Sequence, residues 1–125
     1  MKGTLLVSIL MLSALNAGSS EETRPLPKPR ISSQYPLMKL LEKRQTQRRF
    51  SPAPLSAQLL SDLLWAAFGI NRPATGGRTA PSAWNHQELD LYVFTAEAVF
   101  LYDAKSQALK LVTRKDLRAA TGVQD

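Results

Sequence analysis

Hydrophobic residues along the chain change rhythm four times, and each rhythm predicts a different element. Leu5 to Leu12 is a short apolar run, Leu-Leu-Val-Ser-Ile-Leu-Met-Leu. Leu37, Leu40 and Leu41 recur at helix spacing and predict a helix over Leu37–Lys43, with Lys43 and Arg44 at its end. Leu59, Leu60, Leu63, Leu64, Ala67 and Phe68 form a broader helical stripe, which places Ser61 and Asp62 on the opposite, polar side. Ser56 is the predicted N-cap of that helix, with Leu55 before it as a staple residue, and Gly69 its predicted stop. Beyond Leu89 the period falls to two. Leu89, Leu91 and Val93 alternate with Asp90, Tyr92 and Phe94, which is strand spacing. Val99–Tyr102 and Leu109–Val112 are two further strands, separated by turns at Ala96-Glu97 and Asp103–Gln107, so the three read as a meander. Asn71–Thr79, with Pro73, Gly76 and Gly77, reads as a loop, and Lys115–Ala120 as a short helix stopped by Gly122.

The N-terminal third has a different character. Lys2 precedes the apolar run, and Ser13, Ala14, Ala17, Gly18 and Ser19 follow it, which is the layout of a secretory signal peptide. The run is too short to cross a bilayer, which takes roughly 20 apolar residues. Residues 1–17 are therefore predicted to be a cleaved export signal and the mature chain to be periplasmic or secreted, without an integral membrane span. Pro25, Pro27, Pro29 and Pro36 fix extended backbone and remove amide donors, so residues 18–36 read as a Pro-rich linker or an arm on a surface.

Composition narrows the chemistry. Without cysteine the chain has no disulfide, thiolate nucleophile or Cys-type metal site, and with His86 as its one histidine it has no His-rich metal site. From Arg24 to Ala80 ten Lys or Arg stand against Glu42 and Asp62, whereas from Pro81 onward five basic residues meet six acidic ones. The first half is therefore the place for an anionic ligand. No stacking series of aromatics accompanies these basic residues, which argues against nucleic acid.

Within the basic half, Arg44, Thr46 and Arg48 sit at alternate positions between a helix and the Pro52-Ala53-Pro54 break. In extended backbone they share one side, while Gln45, Gln47 and Arg49 point away. Two guanidinium groups and a hydroxyl on one edge suit a phosphate monoester, which carries nearly two charges and several acceptor oxygens. A basic turn in solvent is the competing reading.

The pattern Arg-x-Thr-x-Arg-x-Phe at 44–50, followed by Leu-Leu-Trp-Ala-Ala at 63–67, resembles the opening of the nitroreductase family, in a branch similar to the dehydrogenases that oxidise azolines in peptides. Gly77–Gln87 resembles the family's Pro-Ser-Ser/Ala-x-Asn-x-Gln stretch, matched here by Pro81, Ser82, Ala83 and Asn85. The resemblance runs from about Leu37 to Gln124. It implies an α+β fold with helices packed on an antiparallel or mixed sheet, of which residues 37–125 are an N-terminal part. It implies FMN as cofactor, with Arg44, Gln45, Thr46 and Arg48 gripping the phosphate. Gln45 stands where relatives often carry arginine or histidine. Pro81, Ser82, Ala83 and Asn85 would approach the flavin from the second subunit of a homodimer.

The resulting expectation is an FMN-dependent oxidoreductase that passes a hydride through bound flavin to or from a small-molecule electron acceptor or donor, with no catalytic side chain assigned. The alternative is a truncated, non-catalytic exported remnant or binding module that keeps the phosphate-gripping segment. His86 reads as an exposed loop residue.

Overall fold

A computed structural model describes residues 21–32 and 36–122. The apolar run at 5–12 and the expected cleavage after Ala17 lie outside the described residues. Two sheets and two α-helices make an α+β arrangement. The main sheet is antiparallel with strand order β1 (Thr23–Pro25), β6 (Ala108–Thr113), β5 (Val99–Asp103), β4 (Tyr92–Phe94). Helices α1 (Leu37–Lys43) and α2 (Ala57–Phe68) lie between β1 and the meander in the chain. Among the described residues no helix is long and apolar enough to cross a membrane.

The meander follows from the apolar runs of β5 and β6, whose first residues are buried consecutively, Val99 with Phe100 and Ala108 with Leu109. On β5, Phe100 and Tyr102 are buried together while Leu101 is only half-buried, and Leu109 of β6 lies opposite Tyr102 in the register. Leu64 of α2 closes a core with Ala98, Phe100, Tyr102 and Leu109, and Leu60 packs at its margin. β4 is shorter than the alternation suggests. It begins at Tyr92, and upstream only the Leu91 carbonyl still accepts from Tyr102 N–H, at 2.9 Å. Thr95 takes over the turn, its hydroxyl accepting from the amides of Glu97 and Ala98.

Helix α2 carries the expected caps. Ser56 Oγ accepts from the Leu59 amide at 3.2 Å, and Gly69 donates from its amide to the Trp65 carbonyl at 2.7 Å. Its buried face is rotated from the predicted one. Ser61 is fully buried, while Leu55, Leu59 and Leu63 stay half or more exposed. The reason lies in the Pro-rich segment, which supplies more than a linker. Its residues 23–25 pair with Lys110, Leu109 and Ala108, and an edge position tolerates the missing proline amide. Beyond them the arm crosses α2. Ser61 donates to the Pro27 carbonyl at 2.5 Å, Gln58 Nε2 donates to the Lys28 carbonyl at 2.9 Å, and the Arg30 guanidinium holds the Asp62 carboxylate. Polar residues thus form a seam, buried at Ser61 and half-buried at Gln58 and Asp62, where the apolar count alone would put a solvent face. The Arg30 amide bond, joined by the guanidinium and Gln58, keeps the Asp62 carboxyl below its ordinary value.

The segment read as a loop at 71–79 contains a second, two-stranded sheet, β2 (Ile70–Arg72) with β3 (Gly77–Arg78). Strands this short leave no periodic trace. Gly76 turns the hairpin at φ 69, and at Gly77 a Cβ would lie 2.3 Å from Arg72 Nε, so the guanidinium rests on the bare backbone. The predicted helix at 115–120 is instead a single 3-10 turn, Arg118–Thr121, because the Asp116 carboxylate takes the Arg118 amide and side chain locally. These bonds hold Asp116 down at about 2.

Candidate functional site

Helix α1 ends at Arg44, whose extended backbone (φ −65, ψ 123) starts a stretch without helix or strand that reaches the Pro52–Pro54 break. Arg44, Gln45, Thr46 and Arg48 all lie in it and all are exposed. Among the described residues their side chains form no hydrogen bond or ion pair, whereas Arg30, Arg114 and Arg118 are each held by a carboxylate. Two guanidinium groups and a hydroxyl, four residues apart at most, are therefore available to an external anion.

The second segment is built tightly. After β3 the chain turns through Pro81 and Ser82 into a 3-10 turn, Ala83–Asn85. Trp84, Asn85 and Gln87 all take left-handed backbone, at φ 52, 57 and 53. Asn accepts this conformation readily, but for Trp and Gln it costs roughly 1–2 kcal/mol each. Hydrogen bonds through Gln87 hold the loop in it. The Gln87 amide donates to Ser82 Oγ at 3.0 Å, and its Nε2 donates to the Gly76 carbonyl at 2.9 Å and to Asn85 Oδ1 at 3.0 Å. Its Oε1 accepts from Arg78 Nε at 2.9 Å, and Arg78 in turn donates to the Phe68 carbonyl and lies 4.5 Å from the Phe68 ring centroid. The end of α2, the hairpin and the loop are thereby one unit.

This unit frames a cleft of about 430 Å³ in which Pro81, Ser82 and Asn85 face Arg72, Thr75 and Gly77. Ala83 stands beside it in the 3-10 turn, and Trp84 projects outward, 92% exposed. The Asn85 oxygen is occupied by Gln87, so a ligand in the cleft meets an amide whose Nδ2 makes no hydrogen bond among the described residues. Arg72 and Thr75 carry no functional signal in the sequence. Nothing in the spacing linked them to Pro81, because the hairpin that brings them there has no periodic signal. Gln87 lay inside the recognised stretch without a role. His86 is exposed at the end of the turn, with its amide donating to the Ala83 carbonyl.

The structure gathers Pro81, Ser82 and Asn85 and presents Arg44, Thr46 and Arg48 along one stretch. Among the described residues no hydrogen bond or ion pair joins the two groups.

Both segments fall within the part of the chain that a family model matches. The model of the nitroreductase family matches residues 41–124. A crystal structure from Ralstonia eutropha, of a protein described as a candidate nitroreductase, is similar with a TM-score of 0.77 and 40% sequence identity. That match covers 99% of this chain and 56% of the other, so this chain spans little more than half its length. A search of curated proteins returns no match.

Proposed function

Because the chain belongs to the nitroreductase family, we propose that it is an exported FMN-dependent oxidoreductase in which Arg44, Thr46 and Arg48 bind the cofactor phosphate. The observation that carries this reading is that none of these three side chains has a partner among the described residues, whereas Arg30, Arg114 and Arg118 are each held by a carboxylate. Gln45 would add its backbone or side-chain amide. A flavin mononucleotide supplies two-electron hydride transfer when bound, so no protein nucleophile is required.

The Pro81–Asn85 segment would lie against the flat ring. Small residues at Ser82 and Ala83 allow close backbone approach, and Asn85 offers a fixed donor. In our reading this segment serves the cofactor held by a second copy of the chain, which accounts for the lack of bonds between the two groups within one copy. A homodimer would also cover Leu40, Leu41, Leu59 and Leu63, all between 48% and 57% exposed. The cleft at Arg72 would help exclude water and orient the small-molecule electron acceptor or donor, a nitroaromatic or quinone being the fitting class of acceptor.

Purified protein tests this directly. A yellow protein whose visible flavin absorption bleaches with dithionite and returns on adding benzoquinone supports an oxidoreductase. A protein that keeps FMN but does not return electrons is a binding module. A colourless protein that takes up no added FMN excludes both.

A further inference from the structure

We propose that the chain has a second small-molecule site, separate from the Pro81 cleft, that takes a flat aromatic carboxylate. It shares no lining residue with that cleft and is a cavity of about 500 Å³ between the arm, the C-terminal half of α2, the β2–β3 hairpin and the β5–β6 turn. Clefts of this size accommodate a small ligand when most of the wall is apolar and a few polar groups fix orientation.

The wall meets that description. Pro29, Trp65, Ile70, Pro73 and Ala104 supply apolar surface, and a half-buried indole beside proline rings favours a planar body. The charged groups in the lining are Lys28 and Lys105, one on the arm and one on the turn; no carboxylate lines the cavity. Neither lysine forms an ion pair among the described residues, whereas Lys39 and Lys110 do, with Glu42 and Asp103. Both leave from anchored backbone. The Lys28 carbonyl accepts from Gln58, and the Lys105 amide donates to Asp103 Oδ1 at 2.9 Å.

Gln107 also lines the cavity, but its amide is spent within the protein on Ser61 and Tyr102. Polar recognition therefore falls to two ammonium groups, which are point charges with rotatable donors. The complementary ligand joins an apolar ring to an anionic group. A sugar phosphate would set hydroxyls against proline and isoleucine, where their lost hydration goes unmatched.

The test is a titration of the purified chain with naphthoate, followed by amide and indole NMR shifts. Naphthalenemethanol is the neutral control, and Lys28→Gln/Lys105→Gln removes both charges at exposed positions. The expected result is movement of the Trp65 indole, Ile70, Ala104 and Lys105 signals. Naphthoate should bind the double variant about tenfold more weakly, while the alcohol binds both proteins equally. Shifts confined to Leu40, Leu59 and Leu63, or equal naphthoate affinity in the two proteins, overturn the proposal. The readout does not depend on flavin, so its failure leaves the cofactor reading standing.

Discussion

Gln107 donates from Nε2 to Ser61 Oγ at 2.9 Å, across 46 residues of chain, and the same carboxamide accepts from Tyr102 OH at 2.7 Å. With the Leu26 amide on its carbonyl, Gln107 fastens arm, helix and meander together, and it does so from left-handed backbone at φ 50. A residue other than glycine is kept in that conformation by what its side chain holds.

Ser61→Ala removes the bond to the Pro27 carbonyl and leaves the half-buried Gln107 amide without its acceptor. The expected loss is about 1–3 kcal/mol, read as a lower urea midpoint. Gln107→Ala should cost a similar amount, and Gln107→Gly less, since glycine relieves the backbone. The double variant Ser61→Ala/Gln107→Ala should lose less than the sum of the single ones, because they share an interaction. Strict additivity would mean that the Ser61–Gln107 bond does not couple the helix to the meander.

The arm should loosen in acid. Asp62 is held below its ordinary 3.8 by the Arg30 amide and guanidinium. A depressed carboxyl stabilises the fold fully above its unfolded value, and that contribution is lost as pH falls through the lower, folded value. Exchange protection of the Leu26 and Leu111 amides, which bond across β1, should therefore drop below pH 3.8. In Asp62→Asn the protection should be lower at neutral pH and lack this acid step. Other carboxylates, Asp103 among them, titrate in both proteins, so only the difference between them reports on Asp62.

Two glycines should respond differently to a methyl group. At Gly69 a Cβ meets the Trp65 carbonyl at 2.6 Å as well as the indole, so helix backbone must move. Gly69→Ala should cost about 1–3 kcal/mol, in the range of overpacked sites. At Gly77 the neighbour is the end of the Arg72 side chain, which can swing away, at the loss of its bond to the Arg78 carbonyl. Gly77→Ala should cost about 1 kcal/mol or less, and thermal denaturation ranks the two.

The difference between legible and hidden parts has a physical pattern. Ser56, Gly69 and the apolar runs of β5 and β6 act within a few residues, and each is readable locally. Ser61 was misplaced because its partners, Pro27 and Gln107, are 34 and 46 residues away. β1 was hidden because three residues with a proline have no periodicity, and only the open edge of β6 makes them a strand. The hairpin at 70–78 was hidden for the same reason, and with it the place of Arg72 and Thr75. The Arg-x-Thr-x-Arg segment was visible as chemistry because its three side chains are neighbours in sequence. The left-handed run at Trp84, Asn85 and Gln87 was not, since it depends on the bonds of Gln87 to Gly76 and Arg78.

The central claim is that Arg44, Thr46 and Arg48 grip a phosphate, and comparing FMN with riboflavin isolates that group. Equilibrium titrations of the purified chain, followed by quenching of flavin fluorescence, should show FMN bound at least about tenfold more tightly than riboflavin. Arg44→Ala/Arg48→Ala should erase that difference while leaving riboflavin affinity unchanged. Equal affinity for the two flavins in the unaltered chain, or a preference for FMN that survives the double variant, would contradict it.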